Sequence, residues 1–223
     1  LSVIFILSLI YWWWLPAKLF DKPCSTVLVD ANNQLLSAQI ASDGQWRYPQ
    51  NDSIPAKFAQ CITLFEDEYF YYHPGINPVS IFKSIKRNVS SGKVKSGGST
   101  ITMQVARNFF LSKKKTFLRK FQEILLAIKI DQEMSKEKIL ELYLNKIYLG
   151  NRAYGVGAAA QIYYGKTLKE LSLGEMAMIA GLPQAPSTQN PITNPAAAKK
   201  RRDHVLERMF NASFITNAQY QKA

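Results

Sequence analysis

Cysteine is nearly missing from this chain: 223 residues contain two, Cys24 and Cys61. They match no metal-ligand spacing and neither is a candidate nucleophile, although the two could pair in an oxidising compartment. Acidic residues are also short, 16 against 28 lysines and arginines, and the net charge of +12 asks for a phosphate-bearing partner. Nucleic acid, an anionic membrane and a pyrophosphate substrate all satisfy that demand. No base-reading motif is present, and the aromatic residues gather around carboxylates rather than among the basic residues, which argues against nucleic acid. There is no internal repeat and little strand alternation outside residues 21–54, so the chain reads as one main, mostly α-helical unit large enough to hold a core.

Charge is absent from Leu1–Leu15, which ends in Tyr11, Trp12, Trp13 and Trp14, the aromatic group of a membrane–water interface. These residues fall short of the roughly 20 needed to cross a bilayer, and no basic flank precedes them. The reading is a transmembrane helix over residues 1–20 whose beginning lies outside the chain. A signal peptide is the rival, and no small-residue cleavage pattern follows to support it.

Residues 21–54 read as a hairpin-like β linker, with strands around Ser25–Asp30 and Gln34–Ile40 and turn signals at Asn32-Asn33 and Ser42-Asp43-Gly44. From Pro55 to residue 223 the periodicity turns helical. Helices are predicted at Ala56–Tyr69, Ser80–Val89, Thr100–Phe110, Thr116–Glu133 (apolar face Phe121, Ile124, Leu125, Ile128, Lys129), Ile139–Asn145 after an N-cap at Ser135, Gly157–Tyr164, Ser172–Ala180 and Ala196–Phe210. Residues 90–98, rich in Gly, Ser and Lys, are predicted to form a mobile loop.

Three stretches carry chemistry. Glu66, Asp67, Phe70, His73 and Gly75 form the spacing Glu-Asp-x-x-Phe-x-x-His-x-Gly. A carboxylate with acidic neighbours and a desolvating aromatic setting has its pKa raised towards the range of a general base, whereas an isolated Glu-Asp-Glu would be a solvated helix end. Gly98, Ser99, Thr100, Gln104, Arg107 and Asn108 then offer hydroxyl, amide and guanidinium groups at the start of a helix, where backbone amides and the dipole favour anions. Arg119, Lys120 and Glu123 follow; read alone, Arg119 and Glu123 are an ordinary i,i+4 surface pair.

These stretches resemble, in order, the first three motifs of the peptidoglycan glycosyltransferases, glycosyltransferase family 51. Lys136-x-x-Ile139-Leu140-x-x-Tyr143-Leu144-Asn145 and Arg152-Ala153-Tyr154-Gly155 through Lys166 resemble the fourth and fifth. The resemblance covers roughly Pro55–Met209 and is greatest to the N-terminal domain of class A penicillin-binding proteins. Departures are Met103 where the family usually has Gln, Asn77 where it commonly has Asp, and Lys83 where it often has Arg. Two Ser-x-x-Lys matches, at Ser112 and Ser135, lie inside this domain without a Lys-Thr-Gly partner. No transpeptidase is therefore expected here, and the chain reads as a fragment.

The resemblance implies a lysozyme-like domain and a membrane-anchored polymerase of lipid II. The 4-hydroxyl of lipid II attacks the anomeric carbon of the growing strand with inversion, and undecaprenyl pyrophosphate leaves. Glu66 is the implied general base. Glu123 lies on the leaving-group side with Arg119, Lys120 and Arg107, where it could help hold a divalent cation, Mg or Mn, bound with the pyrophosphate. Implied substrate contacts are Asp67, Phe70, His73, Gly75, Lys83, Ser99, Thr100, Gln104 and Asn108. Location follows as the bacterial inner membrane, single-pass, with the domain on the outer side and cell wall synthesis proteins as further partners. The apolar and basic residues of Val105–Phe117 suit an anionic membrane surface or, equally, a core turn beside a lysine run. Two other readings stay open: a lysozyme-like glycan-cleaving enzyme, and a non-enzymatic basic membrane-binding module.

Overall fold

The computed structural model describes residues 24–31, 35–47, 54–91, 98–110 and 116–223. Strands β1 (Thr26–Val29) and β2 (Leu35–Gln39) pair antiparallel as the predicted hairpin. Strand β3 (Trp46–Arg47) does something the alternation does not show: it pairs in parallel with β4 (Ala153–Tyr154), deep in the helical part of the chain. Trp46 donates its backbone N–H to Arg152 at 3.0 Å, and the Arg47 guanidinium lies 4.8 Å above the Tyr154 ring. The end of the linker is thus fastened to the residues of the fifth motif.

The helices are α1 (Ala56–Glu66), α2 (Pro78–Ser91), α3 (Ile101–Phe110), α4 (Phe117–Glu133), α5 (Lys136–Lys146), α6 (Val156–Tyr164), α7 (Leu173–Gly181), α8 (Pro195–Asn211) and α9 (Asn217–Lys222). Local capping explains most starts. Asn77 Oδ1 accepts from Ser80 N at 3.0 Å with Pro78 in the first turn, so the Asn at this position keeps the capping oxygen. Thr116 caps α4, Ser135 caps α5, Ser172 and Glu175 form a capping box on α7, and Asn194 precedes Pro195 on α8. Helix α9, with its own capping box at Thr216 and Gln219, is an element that the sequence reading omits.

Three elements differ from the predicted ones. Helix α1 stops at Glu66 rather than Tyr69 because Asp67 leaves helical geometry, with φ −160° and ψ 76°, to bond a distant backbone amide. Helix α2 runs through Ser90 and Ser91 into the predicted loop, whose residues 92–97 lie outside the described residues. On α4 the buried face is Glu123, Leu126, Ala127 and Ile130, with Lys129 beside it, whereas Phe121 is exposed. The i, i+3, i+4, i+7 set that faces the core passes through a glutamate and an alanine, which a purely apolar count passes over.

The helices pack in two groups. Helix α1 lies against α7 and α8, and α3 lies against α4 and α5. A single hydrophobic cluster runs through both, from Phe58 and Ile62 of α1 to Ile101 and Val105 of α3, Ile130 of α4 and Val205 of α8. Side chains of Val79, Phe82 and Val89 on α2 and of Leu118 and Phe121 on α4 remain exposed. Among the described residues no helix is long and apolar enough to cross a membrane. The helix expected over residues 1–20 lies outside the described residues, as do residues 111–115 of the expected membrane-facing segment. Cys24 is exposed and Cys61 buried, and both are free thiols.

Candidate active site

The two helix groups flank an open groove of about 780 Å³ with Glu66, the last residue of α1, in its wall. Glu66 Oε2 accepts from Gln104 Nε2 at 3.0 Å, and the Gln104 amide is oriented in turn by the Tyr143 hydroxyl, which donates to its Oε1 at 3.4 Å. The second oxygen, Oε1, is buried and has no hydrogen-bond partner among the described residues. Burial pushes the Glu66 carboxyl above its ordinary range. The Gln104 and Gln184 amides and the Arg201 guanidinium oppose the rise, and the Asp67 charge adds the smallest contribution to it. Desolvation, not the neighbouring acidic residues, is therefore the main cause. Glu68 points to solvent and faces Arg208 at 3.5 Å.

Asp67 builds the frame. Its carboxylate is buried, receives His73 Nε2 at 2.9 and 3.0 Å, and accepts the backbone N–H of Ile101 at 2.9 Å, at the first turn of α3. Thr100 donates its hydroxyl to the Gly75 carbonyl at 2.6 Å and accepts Met103 N at 3.0 Å, which caps α3. Lys136 completes the clasp: its ammonium reaches His73 O at 2.6 Å and Asp131 at 2.5 Å, and lies 4.9 Å from the Phe70 ring centroid. Phe70 itself is fully buried. Gly75, at φ +78°, brings its backbone so close to α4 that a Cβ would stand 2.2 Å from the Ala127 carbonyl oxygen. The first motif is thus held against the second and fourth by bonds that include charge-assisted ones in a dry setting, where such bonds are strongest, and against α4 by the close approach at Gly75.

On the other side of Ser99, Lys120 Nζ donates to Ser99 Oγ at 2.7 Å and to Glu123 Oε2 at 2.8 Å. Arg119 Nε stands 3.3 Å from Glu123 Oε1. The Glu123 side chain is 1% exposed and that of Lys120 is 42% exposed, so the carboxylate is an internal strut that aims a cation outward. An isolated surface pair is overruled by that burial.

Of the residues expected from the sequence, Glu66, Asp67, Lys83, Ser99, Thr100, Gln104 and Arg107 line the groove. Phe70, His73 and Gly75 stand behind it in the clasp, Glu123 and its two cations adjoin it through Ser99, and Asn108 lies exposed beyond Arg107. Gln184, after α7, and Arg201, His204 and Arg208 on α8 also line the groove and are not among the site residues that the sequence reading names. Their signal was the basic run Lys199-Lys200-Arg201-Arg202 on an amphipathic helix, which reads equally as a solvated face. Among the described residues no cluster of three or more His, Cys, Asp or Glu could hold a metal ion.

Penicillin-binding protein 1A of Pseudomonas aeruginosa is 52% identical over 170 residues, which is 76% of this chain and 21% of that protein. The protein of the same name in Escherichia coli is 53% identical over 171 residues, 77% of this chain and 20% of that one. The chain therefore spans about a fifth of the length of the curated relatives it matches. The crystal structure of penicillin-binding protein 1A from Haemophilus influenzae superposes with a TM-score of 0.51 at 29% identity, covering 92% of this chain and 21% of that one. The transglycosylase family model matches residues 32–210, and on that match the chain belongs to the transglycosylase family.

Proposed function

We propose that this domain polymerises peptidoglycan glycan strands from lipid II, with Glu66 as the general base. The observation that carries the reading is Glu66 Oε1: a buried carboxylate oxygen without a hydrogen-bond partner among the described residues, on a residue whose pKa burial raises, in the wall of a groove lined by basic and hydroxyl groups. A base needs a free lone pair within reach of the proton it takes, and a pKa nearer the working pH improves the transfer. The 4-hydroxyl of the incoming sugar gives its proton to Oε1 as its oxygen bonds to the anomeric carbon of the growing strand. The bond from that carbon to the pyrophosphate breaks on the opposite face, giving a β-1,4 linkage with inversion.

The departing pyrophosphate takes up negative charge, and Lys120, held by Ser99 and Glu123, with Arg107 and Arg119 supplies fixed positive charge for it. Glu123 is the carboxylate on that side, and its Oε2 is already taken by Lys120. Its Oε1 is buried and faces Arg119 at 3.3 Å, so a divalent cation, Mg or Mn, would be held there by pyrophosphate oxygens, with Glu123 holding the Lys120 and Arg119 cations beside it. Such a cation would neutralise leaving-group charge. The exposed apolar side chains of α2 and α4, beside Lys83, Lys86 and Arg87, support a domain that rests on an anionic bilayer and takes its lipid-linked substrate from it. A single-pass anchor in the inner membrane, with the domain on its outer side and cell wall synthesis proteins as neighbours, belongs to the same reading.

The test is incubation of the chain in detergent, with divalent cation and labelled lipid II, followed by gel separation. A ladder of lysozyme-sensitive polymer is expected. Cleavage of preformed glycan without polymer would replace the polymerase with a hydrolase.

A further inference from the structure

Arg201, His204 and Arg208 are spaced three and four residues apart on α8 and so share one face of that helix. The face meets Phe65, the residue before Glu66. Around the buried Phe65 ring the guanidinium carbons of Arg201 and Arg208 stand 4.3 and 5.5 Å from the centroid, and the His204 ring packs edge-on at 5.8 Å. The quadrupole of the ring attracts both cations, the more so where water is excluded. Arg201 is engaged behind the ring as well, donating Nε–H to the Gly181 carbonyl at 3.1 Å. Arg208 differs in reaching the backbone of α1: it donates Nη1–H to the Phe65 carbonyl at 3.2 Å, while its Nη2 faces the Glu68 carboxylate at 3.5 Å.

That carbonyl belongs to the last turn of α1, which stops at Glu66, and the carbonyls of a last turn have no donor within their own helix. A guanidinium there satisfies the lone pair and the negative end of the helix dipole together. The Phe65 carbonyl is also half of the peptide unit whose N–H belongs to Glu66. A peptide unit is planar, so a bond that fixes the Phe65 oxygen fixes the plane from which the Glu66 Cα and its side chain depart.

We propose that Arg208 is a positioning residue for Glu66, acting through the peptide plane between Phe65 and Glu66. The side chain is then held at both ends: Gln104 bonds Oε2 at the tip, and Arg208 fixes the backbone at the root. Oε1, without a hydrogen-bond partner among the described residues, keeps its aim into the groove only while both ends are held. The Arg208–Glu68 contact adds little by itself, since the two side chains are 33% and 52% exposed. The ionisable groups around Glu66 are Asp67 and Glu68 at the end of α1, Arg201, His204 and Arg208 from α8, Arg107 from α3 and the Tyr143 hydroxyl from α5, with Lys83 and Arg87 of α2 in the same groove; Pro183 and Gln184, after α7, carry no charge.

The inference rests on Glu66 being the base, and its first test needs no substrate. The full chain in detergent, labelled with ¹³C at glutamate carboxyls, is titrated by NMR, with the Glu66 signal assigned by its loss in Glu66→Gln. Arg208→Met keeps most of the stem and removes the bond, so the end of α1 loosens, water reaches the carboxyl, and the midpoint is expected to fall towards the ordinary carboxyl range. Loss of a neighbouring positive charge alone would move it the other way, to higher pH. Arg208→Lys, which restores one donor without the fork, should lie between Arg208→Met and the parent. A midpoint that is unmoved or raised in a folded Arg208→Met overturns the proposal; if that variant does not fold, Arg208→Lys decides, and a midpoint at or above that of the parent overturns it. With labelled lipid II, kcat should fall by about 10–10²-fold in Arg208→Met at unchanged KM. A raised KM at unchanged kcat would overturn the positioning role and make Arg208 a substrate contact. A lowered midpoint in a protein that makes no polymer from lipid II keeps the positioning role and overturns the proposed reaction instead.

Discussion

Gly75→Ala is the sharpest perturbation of the clasp that holds the site. Gly75 has φ +78°, and a Cβ there would lie 2.2 Å from the carbonyl oxygen and 2.7 Å from the carbonyl carbon of Ala127, and 3.1 Å from Asp131 Cβ. Two penalties follow. An L side chain in the left-handed region costs about 1–2 kcal/mol. The clash is with helix backbone, which no rotamer change relieves, and overpacking of that kind costs about 1–3 kcal/mol more. Together these amount to roughly 2–5 kcal/mol, or a fall in Tm of roughly 4–20 °C for a domain of this size. Gly165→Ala is the internal control: φ is +63° with nothing within 4 Å of the added carbon, so only the backbone penalty applies and the fall should be roughly 2–8 °C. Thermal unfolding by circular dichroism measures both. Polymer formation should fall further in Gly75→Ala than in Gly165→Ala even well below Tm, because the Gly75 carbonyl receives Thr100 and the adjoining turn carries His73 to Asp67. A Tm loss in Gly165→Ala equal to or larger than that in Gly75→Ala would refute the close-approach argument.

Lys120→Met removes the cation that Ser99 and Glu123 aim, and should lower kcat by about 10²–10³-fold. The fold should survive, since that side chain is 42% exposed; steady-state kinetics with labelled lipid II read the effect, and a loss under about 3-fold contradicts the leaving-group role. Glu66→Gln should unfold at the same or a higher temperature than the parent at neutral pH. The buried carboxyl has its folded pKa raised, so its contribution to stability is full below the unfolded value and is lost as pH rises through the folded value. The advantage of the variant should therefore vanish below about pH 4, and a variant that melts earlier at neutral pH contradicts the desolvation argument. Thiol titration of the native protein should label Cys24 rapidly and leave Cys61 unlabelled until denaturant is added, because Cys61 is wholly buried and burial pushes its thiol up to about 12.

The motif residues were legible because each combines an unusual residue type with a fixed spacing, and Glu66, Gln104, Lys120 and Glu123 could be named on that ground. What was not legible depends on partners remote in sequence. Helix α1 ends at Glu66 because Asp67 bonds Ile101 N, and no local pattern contains that bond. Phe70, His73 and Gly75 share a motif with Glu66 but face the clasp, since spacing carries no sign of which side a residue faces. The core face of α4 passes through Glu123, whose burial becomes tolerable only once Arg119 and Lys120 surround it. Arg201 and Gln184 escaped notice because a basic helix and a proline-flanked glutamine are ordinary until α8 is packed against α1. The parallel pairing of β3 with β4 joins two-residue strands, too short for any alternation to register.

The central claim is that Glu66 takes the proton of the attacking hydroxyl. Its most direct test is the initial rate of polymer formation from labelled lipid II by the parent chain and Glu66→Gln, at matched folded fraction and across pH. The account predicts a loss of about 10²–10⁴-fold in the variant, and in the parent an acidic limb that lies above the ordinary carboxyl range. A variant that polymerises at the parental rate, with the limb unchanged, would contradict it.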